Sequence, residues 1–301
     1  MAAKQATDDR TMRAGRKTPY LLTFPGLLCL YLFFLVPLVT LFKTALSVRV
    51  ERGSSQVDFS WEWSNFSKAF TDFGEQLWRA FIYAGIATAT CLVIAYPLAY
   101  FIAFKAGKWR NLLLGLVMVP FFTSFLLRTI AWQSLLADNG PVLRAARALG
   151  IVPVLDFLRI STDGQIMNTS SAVIGGLTYN FLPFMILPIY VSLEKIPVNL
   201  IDASSDLYSS FARTFRKVIL PLSLPGVFAG TLLTFIPASG DFINQHLLGD
   251  VQKPVIGGVI QARFLQTGDY PTAAAISVVL MAMITAAVLI YAKFLGTEDL
   301  A

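Results

Sequence analysis

The segment Glu194-Lys-Ile-Pro-Val-Asn-Leu-Ile-Asp-Ala-Ser-Ser-Asp-Leu-Tyr-Ser-Ser-Phe-Ala-Arg-Thr-Phe-Arg-Lys217, running on into Val218-Ile-Leu-Pro-Leu-Ser-Leu-Pro-Gly226, organises this chain. It is a polar loop set between two apolar segments of membrane-crossing length. Its middle, residues 202–208, is helix-compatible. Ser209, Ser210 and Arg213 continue the polar run, and Phe215 with the Leu220-Pro221 pair closes the unit. A loop of this kind touches something outside the bilayer, so the chain reads as a docking handle on a membrane-embedded body.

Composition supports that class. Hydrophobic residues make up 55% of the 301 residues and charged residues 14%, with a mean hydropathy of +0.64, far from the balance of a soluble domain. Crossing a hydrocarbon core of about 30 Å takes roughly 20 apolar residues in a helix. Six segments qualify: residues 20–43, 77–104, 112–135, 171–193, 218–239 and 273–295. Backbone amides in lipid are satisfied internally, and spans of this length are helices rather than barrel strands. The expected fold is all-α, a polytopic bundle of six transmembrane helices.

The net charge of +6 does not point to nucleic acid, because the bases crowd at span ends, where the positive-inside rule places them. Lys4, Arg10, Arg13, Arg16 and Lys17 precede the first span. Lys105, Lys108 and Arg110 join the second to the third, and Lys195, Arg213, Arg216 and Lys217 lie between the fourth and fifth. The opposite loops are longer and hold fewer bases: Arg49, Arg52 and Lys68; Arg144, Arg147 and Arg159; Lys253 and Arg263. Both termini are therefore expected in the cytoplasm, with a tail over residues 1–19, a membrane domain over 20–295 whose cytoplasmic loop is 194–217, and a short tail over 296–301. The first apolar run is too long for a signal-peptide core and is read as a retained helix. Prolines in the first, fourth and fifth spans predict bent helices around a central pathway, and residues 139–150 predict a short amphipathic helix packed on the bundle.

Motifs for chemistry are missing. The Gly107-Lys108 pair is followed by Trp109, so the chain has no phosphate-cradling loop of its own. One histidine, His246, and two cysteines inside apolar spans, Cys29 and Cys91, suggest neither a metal site nor a disulfide. An ion-coupled carrier would show intramembrane carboxylates or inverted repeats, and a membrane enzyme would show a nucleophile or an acid–base pair. Neither pattern stands out.

Residues 202–221 resemble the EAA loop of binding-protein-dependent ABC importer permeases, with Asp202, Ala203 and Ser204 at the Glu-Ala-Ala positions and the Leu220-Pro221 pair at the expected distance. Pro120-Phe-Phe-Thr-Ser-Phe-Leu-Leu-Arg-Thr-Ile-Ala-Trp132, Leu136-Ala-Asp-Asn-Gly-Pro141, Phe235-Ile-Pro-Ala-Ser-Gly-Asp-Phe242 and Asp269-Tyr-Pro-Thr-Ala-Ala-Ala275 are similar to segments of spermidine/putrescine permease subunits. The resemblance implies a type I importer bundle and no cofactor in this chain. It also implies a second homologous permease, an ATPase dimer carrying ATP and magnesium, and an extracytoplasmic binding protein. Relatives of the same architecture carry sugars or anions, so the solute class stays open at this point.

The same resemblance makes the loop a coupling helix, with Asp202, Ala203, Ser204, Leu207, Tyr208, Phe211 and Phe215 facing the ATPase. Tyr208 stands where the family has glycine, at the turn that ends the short helix. Glycine accepts positive φ there and tyrosine is strained, so either the turn is rebuilt or the ring serves as an aromatic contact, in a ridge with Leu207 and Phe211. For the path, Asp241, just after the fifth span, is the candidate acceptor for a cation, and Asn180, Tyr179 and Gln133 are neutral hydrogen-bonding groups on other helices. Arg128, inside the third span, is either ion-paired, Asp241 being one candidate acid, or faces the path. Phe121, Phe122, Phe181 and Phe184 are read as packing in preference to a gate.

Overall fold

The computed structural model describes residues 18–50, 56–157, 160–206 and 208–295. Leu207, most of the expected N-terminal tail, the expected C-terminal tail, and Lys4, Arg10, Arg13, Arg16, Lys17, Arg52 and Arg159 of the charge reading lie outside the described residues. Among the described residues, five helices are long and apolar enough to cross a membrane, and a bent pair makes a sixth when counted as one span.

The first span is α1 (Thr18–Leu30), a π turn (Tyr31–Leu35) and α2 (Val36–Ala45). Pro37 lacks the N–H that would bond back four residues, and the ladder answers by slipping one residue, Val36 N–H donating to the Tyr31 carbonyl. A hairpin of β1 (Ser47–Arg49) and β2 (Val57–Phe59) follows, paired antiparallel. This hairpin is an addition to the all-α expectation. Next comes α3 (Ser64–Phe104), 41 residues long, which begins thirteen residues before the apolar segment that announced it. Its start is pinned because Asn65 donates to the carbonyls of Ala45 and Ser47, both at 3.0 Å.

The third span is not one helix. It consists of α4 (Arg110–Met118), a 3-10 turn (Val119–Phe122) and α5 (Phe125–Leu136), bent by 94° at the break. Pro120 removes a helix donor, and Thr123 is fully extended at φ −100°, ψ 140°. The single helix expected over 112–135 is thus corrected to a broken span. Two short helices follow, α6 (Pro141–Ala148) and α7 (Val152–Phe157). The amphipathic reading of α6 holds: Leu143 and Ala146 are buried while Arg144 and Arg147 face out. Gly140 before it is obligatory, since a Cβ there would lie 2.4 Å from the Leu135 carbonyl oxygen.

The centre of the bundle is α8 (Ser170–Glu194). Along α3 the buried face is a row of small side chains, Ala80, Ala84, Ala87, Cys91, Ala95 and Ala99, which lets backbones approach closely where lipid offers no hydrophobic drive. After α9 (Val198–Asp206), α10 (Phe211–Thr214) and a π turn (Phe215–Ile219), α11 (Leu220–Gly240) packs on the other side of α8. Here Gly226 and Gly230 form a small-xxx-small pair. A Cβ on Gly226 would meet the Pro188 carbonyl oxygen at 2.5 Å, and one on Gly230 the Met185 Sδ at 2.9 Å. The helices α12 (Ile243–Leu248), α13 (Ile256–Gln261) and α14 (Tyr270–Leu295) complete the chain. Ala274 and Ala275 of α14 pack on Ala45, while the apolar window of the first span has none of its residues buried and faces outward.

Candidate coupling elbow and polar seam

The elbow is built from α9, α10 and the π turn. Ser209 N–H donates to the Ser204 carbonyl at 3.2 Å, five residues back, and Tyr208 lies between them at φ +55°. This is the Schellman way of ending a helix, with a left-handed residue just past the cap. Tyr208 therefore keeps the conformation a glycine would take, and the turn is not rebuilt. Its ring is 95% exposed. Ser210 then starts α10, its carbonyl accepting from both Arg213 and Thr214 at 2.9 Å. The Ser204 and Thr214 hydroxyls share a hydrogen bond of 2.7 Å that closes the elbow.

Asp202 and Ala203 are exposed on the outer face of α9. Phe211 and Phe215 look the other way. Phe211 meets Tyr100 edge-on at 6.1 Å and stacks on Phe215 at 6.4 Å, and Phe215 meets Tyr96 edge-on at 5.6 Å. Tyr96 in turn shares a 2.7 Å hydrogen bond with Ser223 of α11. The expected ridge of Leu207, Tyr208 and Phe211 accordingly divides: Tyr208 projects, Phe211 belongs to an aromatic ladder on the end of α3, and Leu207 lies outside the described residues. Leu220-Pro221 sets the base of the elbow. Pro221 has no N–H to give, and Leu220 N–H reaches back to the Phe215 carbonyl, producing the π turn.

A second cluster lies at the opposite end of α11. Asn180, fully buried, donates through Nδ2 to Thr129 Oγ1 and to Asn244 Oδ1, each at 3.2 Å. Asn244 donates its backbone N–H and its Nδ2 to Asp241 Oδ1, at 2.8 and 3.1 Å. One seam thus joins α5, α8, the end of α11 and α12. Burial pushes the Asp241 carboxyl up to about 6, against the two hydrogen bonds from Asn244 that favour its charged form. Two of the predicted path residues, Asp241 and Asn180, are brought together. Thr129 and Asn244 were missed, although the spacing Asp241-Phe-Ile-Asn244 ahead of a short helix is itself a capping signal.

The others stand apart. Tyr179 meets Trp132 edge-on at 5.4 Å, and neither it nor half-buried Gln133 is tied to the seam. Arg128 is 9% exposed, its guanidinium 5.6 Å from the Phe121 ring and 5.7 Å from that of Phe125. The expected ion pair does not form: among the described residues the four ion pairs leave out both Arg128 and Asp241. Nε and Nη1 of Arg128 are buried without a hydrogen-bond partner, so ring faces carry the cation instead. Phe121 packs on Phe184 at 4.8 Å and Phe181 on Phe184 at 6.2 Å, whereas Phe122, read with them as packing, is 89% exposed.

No protein-family profile matches the chain. The spermidine/putrescine transport system permease protein PotB of Haemophilus influenzae is 35% identical over 262 residues, covering 87% of this chain and 89% of that protein. PotB of Escherichia coli K12 is 36% identical over 272 residues, covering 90% and 94%. The inner membrane ABC transporter permease protein YdcU of the same strain is 35% identical over 73% of this chain and 71% of that protein. Among solved structures, a bacterial ABC transporter involved in import of the acidic polysaccharide alginate superposes with a TM-score of 0.63 over 98% of both chains at 14% identity. The MetNI methionine ABC transporter superposes with a TM-score of 0.53 over 73% of this chain and 94% of that one. At these identities the structures establish the fold, and the sequence relatives establish the lineage. The chain belongs to the spermidine/putrescine transport system permease proteins of the ABC transporters.

Proposed function

We propose that this chain is one of two homologous permease subunits of an ATP-driven importer, and that its cargo is a polyamine delivered by an extracytoplasmic binding protein. The observation that carries the proposal is the relation to PotB over about nine-tenths of both chains. Positive charge at the span ends supports cytoplasmic termini and a cytoplasmic elbow. In this reading Asp202, Ala203 and Tyr208 meet the ATPase subunits, which hold ATP and magnesium. Displacement of the elbow then passes through Phe211 and Phe215 to Tyr100 and Tyr96 of α3, and through the π turn to α11. Gly226 and Gly230 hold α11 against α8, so the pair moves as a body and the force reaches Asp241 at the far end of α11 and Asn180 midway along α8. Asp241 is the carboxylate that receives a cation there.

The buried, unpaired guanidinium of Arg128 favours a second reading, an anionic cargo. One experiment separates the two. The subunit is reconstituted in proteoliposomes with its permease partner, ATPase subunits and binding protein, and uptake of radiolabelled spermidine and putrescine is measured with ATP and with vanadate. The proposal requires ATP-dependent, vanadate-sensitive uptake of at least one polyamine. Polyamine exclusion with uptake of an organic anion supports the second reading, and uptake that ignores ATP removes both.

A further inference from the structure

At the end of the bundle where α8 begins lies a basin of about 720 Å³, within the range of roughly 300–1,000 Å³ typical of small-molecule sites. Tyr83 of α3, Asp163 and Ser170 around the start of α8, Gln245 of α12, and Asp250 and Lys253 beyond it contribute to its wall. Gln245 is 7% exposed. Its Nε2 donates to the backbone carbonyls of Asp250 and Lys253, both at 3.0 Å, which fixes the way the amide points. Its Oε1 is left as a buried acceptor without a donor, an arrangement unfavourable for a buried polar atom.

Neutral amides and hydroxyls, from Gln165, Asn168, Thr162 and Thr169, also line the wall, but among its charged groups the acids outnumber the bases. Asp163 is exposed on a turn where it holds φ +53°. Asp250 is held by Gln252 N–H at 2.8 Å and by Lys253 at 3.9 Å. The Tyr83 and Ser170 hydroxyls are bonded to each other. Two carboxylates and an orphaned carbonyl thus face a single ammonium, Lys253, whose side chain is 65% exposed. A primary ammonium brings positive charge and three donors, which answers the excess of acid and the unpartnered Gln245 carbonyl. Position adds a second argument: Gln245 and Asn244 are neighbours on α12, both buried, Gln245 lining the basin and Asn244 belonging to the seam with Asp241.

We propose that the basin is an entry site for the ammonium ends of the cargo, from which they pass α12 to reach the Asp241–Asn244 seam. The inference rests on the polyamine reading above and adds the residues that first receive the cation. It is tested on the assembled transporter in nanodiscs, without binding protein, by equilibrium binding of radiolabelled spermidine. Asp163→Asn, which tolerates the left-handed turn, should raise Kd by about two- to fivefold, the size of an exposed charge contact. Lys253→Gln, which removes the wall's one ammonium, should lower Kd. A merely structural role gives no such pair of opposite shifts. Unchanged Kd in both variants, with wild-type uptake of spermidine intact, overturns the basin and leaves the polyamine reading standing. Unchanged Kd with weakened capture of the binding protein assigns the surface to protein docking instead, and a wild-type assembly that neither binds nor transports spermidine removes both ideas.

Discussion

In the proposed assembly Tyr208 combines a strained turn with a contact to the ATPase, two roles that substitution can separate because they carry opposite signs. It holds φ at +55°, and a left-handed conformation costs an L residue about 1–2 kcal/mol. Glycine relieves that, while its greater freedom in the unfolded chain gives back about 0.5–1 kcal/mol. Tyr208→Gly should therefore leave the isolated subunit as stable as before, or more stable by at most about 1.5 kcal/mol. The ring is 95% exposed in the free subunit, and an aromatic covered fully at an interface commonly contributes 2 kcal/mol or more, about 30-fold in affinity. The same variant should thus hold the ATPase subunits about 30-fold more weakly. Titrating ATPase retention on the immobilised permease pair reads the second effect, and the thermal unfolding midpoint reads the first. Tyr208→Phe should behave like wild type, and Tyr208→Asn, which tolerates the turn but has no ring, should follow glycine. If Tyr208→Gly retained the ATPase with wild-type affinity and supported normal uptake, the ring would not be the contact and the reasoning would fail.

Three further perturbations test other parts of the fold. Gly226→Ala sets a methyl 2.5 Å from the Pro188 carbonyl oxygen, and the forced separation of α8 and α11 should cost about 1–3 kcal/mol, seen as a lower unfolding midpoint in detergent; an unchanged midpoint contradicts the close-packed contact. Arg128→Met removes a charge whose Nε and Nη1 lack partners and keeps its bulk, so the isolated subunit should be at least as stable, and a marked loss would mean that the guanidinium is paired after all. Asp241 has its carboxyl raised by burial from 3.8 to about 6, so the folded state holds the proton more tightly than the unfolded one. The corresponding stability is complete below about pH 4 and is lost as pH rises towards 6. Asp241→Asn should flatten that dependence and stabilise the subunit at pH 7.5 while abolishing polyamine uptake. A variant that transports normally takes Asp241 out of the path.

Membrane class, five of the six span positions and the elbow were legible because each rests on a local pattern: apolar length, charge at span ends, and the spacing from Asp202 to Pro221. The break in the third span was not. Residues 112–135 are apolar enough to pass as one span, and hydropathy counts side chains without registering that Pro120 and the extended Thr123 turn the backbone by 94°. The long start of α3 escaped for the opposite reason. Residues 64–76 are too polar for a hydropathy window, yet Asn65 ties them to Ala45 and Ser47 through contacts 18 to 20 residues apart. Within the site, Asp241 could be picked out as an isolated acid, but Thr129 and Asn244 acquire meaning only once α5, α8 and α12 converge on Asn180.

The prolines and glycines assign stiffness along the chain. An X-Pro pair inside a helix frees a carbonyl and lets the ladder shift by a residue, and this happens at Val36-Pro37 and again at Leu220-Pro221. Below Pro221 the elbow is joined to the bundle by a π turn and by rings in contact, Phe211 and Phe215 on Tyr100 and Tyr96, which can slide over one another. Above it, Gly226 and Gly230 bring backbones into contact, and such an interface resists sliding because any shift drives main-chain atoms together. A push on Tyr208 and Asp202 therefore meets a yielding joint first and a rigid pair of helices second. Under the proposed function the motion that survives is a tilt of α8 with α11, delivered to Asp241 at the end of α11 and to Asn180 midway along α8.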